Sequence, residues 1–172
     1  MSDVSRVQID ILAYFDAHEV LAANQASKEY HAPWASPPLD TAGFEQWYGQ
    51  MLTGPNLSFV IREATGKGIV GVVNISQIVW GVFRSAYLGY YGYAAFAGRG
   101  YMKEGLSLVV QRAFNDLRLH RLEANIQPDN VRSIGLVASL GFVKEGFSRS
   151  YLKIEGKWCD HERWAVVNAE TN

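Results

Sequence analysis

The sequence predicts an α+β or α/β fold, a sheet with helices packed on it, and three observations predict it. β-rich and helical segments follow one another in the mixed order β α α β β β α β α β β. Two pairs of neighbouring β-rich runs are joined by short glycine-containing turns, at Ala64 to Gly68 and at Glu155-Gly156, which reads as two hairpins. Between them Met102, Leu106, Val109, Val110, Ala113, Phe114 and Leu117 recur at helical spacing.

Taken in order, Val4 to Leu12 alternates in part and reads as a first strand. Asp16 is placed to cap a helix through Val20 and Leu21 to about Ser27. Ala32 to Pro38 holds three prolines and Trp34, so it is an ordered irregular connection. Thr41, with Glu45 nearby, opens a second helix that ends near Gly54-Pro55. Leu57 to Arg62 and Ile69 to Ile78 form the first hairpin, and Ser85 to Tyr93 is a tyrosine-dense strand. The long helix follows. Arg121 to Ile126 alternates as a strand, Pro128-Asp129-Asn130 starts a short helix ending at Gly141, and Val143 to Ile154 with Trp158 to Val167 make the second hairpin.

The 172 residues, 48% of them hydrophobic, suit one domain spanning 1–172 with a substantial core. A net charge of −1 gives no basic surface for nucleic acid. Cys159 is the only cysteine and the four histidines have no ligand spacing, so neither a disulfide nor a metal site is expected. Met1 to Asp10 lacks the pattern of a secretion signal, and the most apolar stretch, Ile69 to Phe83, is too short and too polar to span a bilayer. A soluble cytoplasmic protein, monomer or homodimer, is the expectation.

Gly98-Arg99-Gly100-Tyr101-Met102 lies between a strand and the long helix. Two glycines let backbone approach a ligand, and unpaired amides at a helix start favour an anion. An ordinary strand-to-helix turn fits the glycines equally well. A dinucleotide fingerprint does not: the third glycine, Gly105, falls two positions late, and Leu119-His120-Arg121-Leu122 occupies the place of the acidic residue. There is no G-K-S/T phosphate loop.

At this turn the sequence resembles the GNAT superfamily of N-acetyltransferases, whose pattern Q/R-x-x-G-x-G/A binds the pyrophosphate of coenzyme A. Ala97 to Met102 is the matching stretch; its glycines agree, while Ala97 and Met102 depart. Methionine in the last place is familiar in the RimJ/RimL branch, and Ala97 removes a side-chain contact but is expected to keep its amide for the ligand. Further pieces follow in family order. Pro33-Trp34-Ala35-Ser36-Pro37 is similar to P-W-x-P, Gly81 to Tyr90 to G-x-F-x-x-x-Y-L-G-Y, and Asn130 to Ser133 to N-x-x-S. Leu140 to Gly146 is similar to L-G-F-x-x-E-G, and Gly156 to His161 to G-x-W-x-D-H. The resemblance implies a mixed, mostly antiparallel twisted sheet with helices on both faces, opening between the strand that ends near Tyr93 and the strand Arg121 to Ile126. It also implies acetyl-CoA as cofactor and a protein N-terminus as the acceptor. The alternatives are a small-molecule amine such as an antibiotic, polyamine or amino acid, and a non-catalytic acyl-CoA-binding protein.

The same resemblance places the pantetheine arm beside Tyr91-Gly92-Tyr93, with Gly92 allowing close approach, and the pyrophosphate on Ala97, Gly98, Arg99, Gly100, Tyr101 and Met102. Asn130 reads as a helix cap by position and as a contact to the cofactor arm by resemblance. Ser133, one turn further, is either the third polar position of a capped helix or the group that protonates the leaving thiolate, directly or through water. Many relatives use a tyrosine further along this helix; here Leu136-Val137-Ala138-Ser139 has none, and Tyr91 and Tyr151 are the tyrosines to test instead. Tyr87 and Tyr90 are read as sheet residues. Glu123, Asp160 and His161 are candidate bases, each also readable as a structural group. A site with a weak base suits an α-amine, about a tenth neutral near pH 7, better than a lysine, which costs roughly 4–5 kcal/mol to deprotonate there. Trp34, Trp47, Trp80 and Phe83 read as core or loop anchors, and Trp34 and Phe83 are the candidate walls of the acceptor cleft.

Overall fold

The structure is a computed structural model that describes residues 5–66 and 68–169. Val4 of the first strand and Lys67 of the first hairpin turn lie outside the described residues. Seven strands form one sheet: β1 (Val7–Ile11), β2 (Leu57–Glu63), β3 (Ile69–Val79), β4 (Ser85–Gly92), β5 (Arg121–Ile126), β6 (Val143–Ile154) and β7 (Lys157–Val167). Their order across the sheet is β1-β2-β3-β4-β5-β7-β6. Every neighbouring pair is antiparallel except β4 and β5. Those two run parallel and pair only at Ser85 to Tyr87 with Arg121 to Glu123. Beyond that point β4 stays on β3 to Gly92 and β5 stays on β7 to Ile126, so the sheet opens between them.

Helices α1 (Ala17–Ala26), α2 (Lys28–His31), α3 (Thr41–Thr53), α4 (Tyr101–Asn115) and α5 (Val131–Ala138) complete the described fold. Strand alternation sends the two sets of apolar side chains to opposite faces. Phe59, Ile61, Val73, Ile75, Leu122 and Ala124 meet Leu106, Val109 and Ala113 of α4 and Val137 of α5. Val60 and Val72 meet Val20 of α1 and Phe44 of α3. Helices therefore cover both faces, as expected. The four-residue α2 is an addition to the sequence reading; it is too short for periodicity to reveal.

One helix start follows the sequence reading and one differs from it. α3 opens at Thr41 as expected, and Asp40 before it is the cap: it is extended and its Oδ1 accepts the Gly43 amide at 2.7 Å. Asp16 does not cap α1 with its side chain. Its buried carboxylate accepts the Ala13 amide at 2.8 Å and the Arg62 guanidinium at 2.6 Å, while Arg62 also donates to Glu19 at 2.7 Å. An almost fully buried carboxylate requires a cation, and Arg62 supplies it from β2.

Candidate active site

The opening between β4 and β5 has a polar backbone edge. Tyr93 N–H donates to Val70 C=O on β3 at 2.9 Å. In an antiparallel ladder alternate residues turn to the same neighbour, so Tyr91 also faces β3, and Tyr90 and Gly92 present their backbone groups to the opening. Of the three residues expected to line the cofactor arm, Tyr91 and Tyr93 thus have both backbone and rings turned elsewhere. The Tyr93 hydroxyl donates to Asn24 of α1 at 3.0 Å, and burial raises the phenols of both tyrosines. Gly92 remains at the edge, but its carbonyl accepts His31 Nε2–H at 2.9 Å. Its missing side chain also has a different reason from the expected one. A Cβ there would stand 2.8 Å from Met102 Cγ, so Gly92 makes room for Met102 rather than for a ligand.

The turn after β4 has the features that suit an anion. A short 3-10 turn, Ala94–Phe96, leads through Ala97 to Gly98 at φ +72° and Gly100 at φ +81°, a region glycine enters without strain. Open space lies on the side-chain side of Gly98. The first helical bond of α4 runs from Glu104 N–H to Gly100 C=O, so the amides of Tyr101, Met102 and Lys103 have no helical partner. Arg99 adds a positive charge, its guanidinium held 5.3 Å from the Phe96 ring and 4.8 Å from the Tyr101 ring. A groove of about 560 Å³ runs on from Gly100, lined by Arg6, Lys103, Leu108 and Leu140 among others. The glycine turn, Arg99 and the unpartnered amides fit the diphosphate of coenzyme A, whereas Arg6 in the groove is ion-paired with Glu104. Ala97 is a correction: its amide closes the 3-10 turn onto the Ala94 carbonyl at 3.1 Å and is not free for a ligand.

Across the opening, α5 begins at Asn130, whose Oδ1 accepts the Ser133 amide at 3.2 Å. The capping geometry read from position is present. Ser133 Oγ lies 2.6 Å from the hydroxyl of Tyr90, and the Tyr90 hydroxyl is 3.3 Å from the Ser133 carbonyl. Burial pushes the Tyr90 phenol up to about 12, with the bond to Ser133 acting against it. Tyr90 is the residue the sequence reading passed over. The available signal was parity: from Leu88, whose side chain is core, every second residue of β4 points to the same face, and Tyr90 is next.

On the face that carries α1 and α3, β5 contributes Glu123 and Asn125, since Leu122, Ala124 and Ile126 fill the opposite core. Glu123 Oε1 accepts Arg121 Nε–H at 2.8 Å, and Arg121 Nη1 also donates to Glu145 at 3.0 Å. Asn125 Oδ1 is buried with no partner among the described residues. The Tyr87 hydroxyl is raised first by its hydrogen bond to Tyr151, then by burial and by Glu123. Asp160 accepts the Ser150 amide at 2.7 Å and steadies an irregular stretch of β6, and buried His161 donates from Nδ1 to the Cys159 carbonyl at 3.0 Å. Both therefore have structural work. The connection after α2 arches over this side. It is tied to β4 through His31 and Gly92, and to the tip of the β6–β7 hairpin through Ser36 Oγ–H donating to Glu155 at 3.0 Å. Half-buried Trp34 stands in this arch, whereas exposed Phe83 lies before the start of β4, where β4 and β5 are still paired. The structure thus brings Ser133, Asn130 and the Gly98–Met102 turn around the opening but separates Trp34 from Phe83 by the length of β4.

Among the described residues no cluster of potential metal ligands occurs and no helix is long and apolar enough to cross a membrane.

A family model for the acetyltransferase (GNAT) domain matches residues 7–143. The probable N-acetyltransferase YjcK of Bacillus subtilis (strain 168) is 39% identical over 112 residues, 65% of this chain and 62% of that protein. The ribosomal protein uS5-alanine N-acetyltransferase of Escherichia coli (strain K12) is 40% identical over 117 residues, 68% of this chain and 60% of that protein. The matched stretches thus span less than two thirds of either relative. RimJ of Mycobacterium smegmatis, solved in complex with CoA-disulfide, superposes with a TM-score of 0.85 at 26% identity, covering 96% of this chain and 83% of that one.

Proposed function

The chain belongs to the GNAT acetyltransferase family, and we propose that it moves an acetyl group from acetyl-CoA to the N-terminal α-amino group of a protein. The observation that carries the choice of acceptor is the pairing of Glu123 with Arg121. The carboxylate that β5 carries at the edge of the opening is thereby committed to Arg121 rather than free to reach an acceptor amine. An α-amine, with a reference pKa of about 7.7–8.0, supplies its own neutral form near pH 7, whereas a lysine amine does not. The likeness to a uS5-alanine N-acetyltransferase supports the same acceptor class.

Acetyl-CoA, when bound, supplies a thioester carbonyl open to attack by an amine. The chain's own residues do the rest. The amides of Tyr101, Met102 and Lys103, with Gly98, Arg99 and Gly100, hold the diphosphate. The β4 edge at Tyr90 and Gly92 orders the arm as an added strand would be ordered. Asn130 contributes to the same ordering. Ser133 hands its hydroxyl proton to the leaving sulfur. Trp34 and Phe83 are the acceptor contacts, and the eight residues of β4 between them, about 25 Å, suit an extended peptide. The Ser36–Glu155 bridge favours the second reading, a small-molecule amine, because it narrows the same face. The reaction is to be located in the cytoplasm.

The test is acetyl-CoA turnover against peptides with free or blocked N-termini, peptides carrying lysine, and a set of small amines. Mass spectrometry should place the acetyl group on the α-nitrogen. Acetylation of lysine Nζ, or turnover only with small amines, would overturn the choice of acceptor. No turnover with any amine would leave the non-catalytic binding reading.

A further inference from the structure

Tyr90 and Ser133 meet across the opening, one from β4 and one from the first turn of α5, and neither relation follows from chain proximity. We propose that Tyr90 is a positioning residue for Ser133: its phenol donates to Ser133 Oγ and so turns the single Ser133 proton toward the leaving sulfur. This rests on the reading of the chain as an acetyl-CoA-dependent transferase.

Either hydroxyl can donate across this contact, and we take the phenol as the donor. A buried phenol needs an acceptor. Two oxygens lie near the Tyr90 hydroxyl, Ser133 Oγ at 2.6 Å and Ser133 C=O at 3.3 Å. The carbonyl contact is the longer bond, and we assign the phenol's proton to the closer side-chain oxygen. With Oγ already accepting, its own proton must find another acceptor. A serine in a first helical turn otherwise donates back to a carbonyl three or four residues earlier, here Asn130 or Asp129. Tyr90 approaches from the sheet side and competes with that local bond. Its phenol, pushed up to about 12, stays protonated through the neutral range and keeps its donor role throughout a turnover.

The proton and electron balance is simple. The amine nitrogen forms a bond to the acetyl carbon, the carbon–sulfur bond breaks, and its electron pair stays on sulfur and takes the Ser133 proton. The proton that the nitrogen loses reaches Ser133 Oγ through solvent and restores it. Tyr90 neither gains nor loses a proton.

The experiment compares Tyr90→Phe, Ser133→Ala and the double variant in the full chain, each first shown to be folded by its unfolding midpoint. Tyr90→Phe should lower kcat roughly tenfold or more and change the acetyl-CoA KM by no more than about twofold. The double variant should be no slower than Ser133→Ala alone, because Tyr90 acts only through Ser133. Wild-type kcat in Tyr90→Phe overturns the proposal. So does a loss that multiplies with that of Ser133→Ala, or one seen only as a raised KM. If Tyr90→Phe does not fold, Ser133→Thr, which keeps the hydroxyl acceptor, must retain most of kcat while Ser133→Val does not; equal loss in both overturns it. A wild-type chain with no turnover on any amine overturns the functional reading itself, and that outcome is distinct from all of the others.

Discussion

Met102 fills the space that a side chain on Gly92 would occupy. A Cβ built on Gly92 would stand 2.8 Å from Met102 Cγ, and one on Gly71, the β3 partner of Gly92, 2.5 Å from Met102 Sδ. The first turn of α4 is thereby seated on two glycines of the sheet, and this contact sets how the amides at the start of α4 face the opening. Gly92→Ala should destabilise the fold by about 1–3 kcal/mol through overpacking. The flexible Met102 can be shortened, so Met102→Ala should restore much of what Gly92→Ala loses. Gly71→Ala should not be rescued, because its Cβ would also stand 2.6 Å from the Tyr91 carbonyl oxygen, which cannot move away. Denaturant unfolding of the three single variants and of the two doubles with Met102→Ala tests this. Additive losses in the Gly92/Met102 pair would show that the two do not share one space.

The turn at Gly100 is tested by ligand. Coenzyme A binding only the native chain should raise its unfolding temperature, by RT ln(1 + [L]/Kd) in free energy. Gly100→Val should remove that rise: valine is strained at φ +81°, and its side chain would point toward the Arg6 guanidinium, 3.1 Å from the Cβ position. The shift is measured against each variant's own ligand-free midpoint. An undiminished shift in Gly100→Val would place the diphosphate elsewhere.

Much of this fold was legible in the sequence because its signals are local. Leu106, Val109 and Ala113 face the core and carry the helical period; the Glu155-Gly156 turn announces its hairpin. Features that depend on distant partners were not legible. Asp16 looks like a cap until Arg62 arrives from β2. Gly92 looks like room for a ligand until Met102 fills it. Ala97 keeps its amide in sequence but spends it on the 3-10 turn. Tyr90 and Tyr91 are adjacent and equally plausible from composition; parity from Leu88 gives the face, and only the arrival of α5 on that face brings Tyr90 to Ser133.

His31 should make stability depend on mild acid. Its ring is buried, Nε2–H donates to the Gly92 carbonyl, and Nδ1 has no partner among the described residues. The rings around it are those of Tyr30, Tyr91 and Tyr93. Burial lowers its pKa, against the weaker opposing effect of the Gly92 bond. A depressed folded-state value means that the unfolded chain binds the proton more tightly. The stability from neutral His31 is therefore fully present above the unfolded value of about 6.5 and is lost as pH falls from there toward the lowered folded value. One proton gives a slope of up to ~1.4 kcal/mol per pH unit in that window. His31→Gln keeps a donor for Gly92 and cannot titrate, so its unfolding free energy should be flatter there. An equal slope in both chains would assign the acid sensitivity to other groups.

Asn130 and Ser133 share one hydrogen bond but should separate in kinetics. Asn130→Ala removes the acceptor of the Ser133 amide at 3.2 Å, and the loss of that cap should cost about 1 kcal/mol of stability. If capping were its whole role, turnover per folded molecule would be unchanged. If Asn130 also holds the cofactor arm, the acetyl-CoA KM should rise as well, since that contact exists in the ground state. Ser133→Ala leaves the cap in place, because the bond uses its backbone amide, so its stability should change less. Its kcat should nevertheless fall, by ~10²-fold if one aligned hydrogen bond to the leaving sulfur is lost, with little change in KM, because protonation of the sulfur matters only in the transition state. Unfolding midpoints and initial rates on the same preparations give both readouts. A folded Ser133→Ala chain with wild-type kcat would remove Ser133 from the chemistry, and Tyr151, which reaches Tyr87 on the other face of the opening, would be the next hydroxyl to replace.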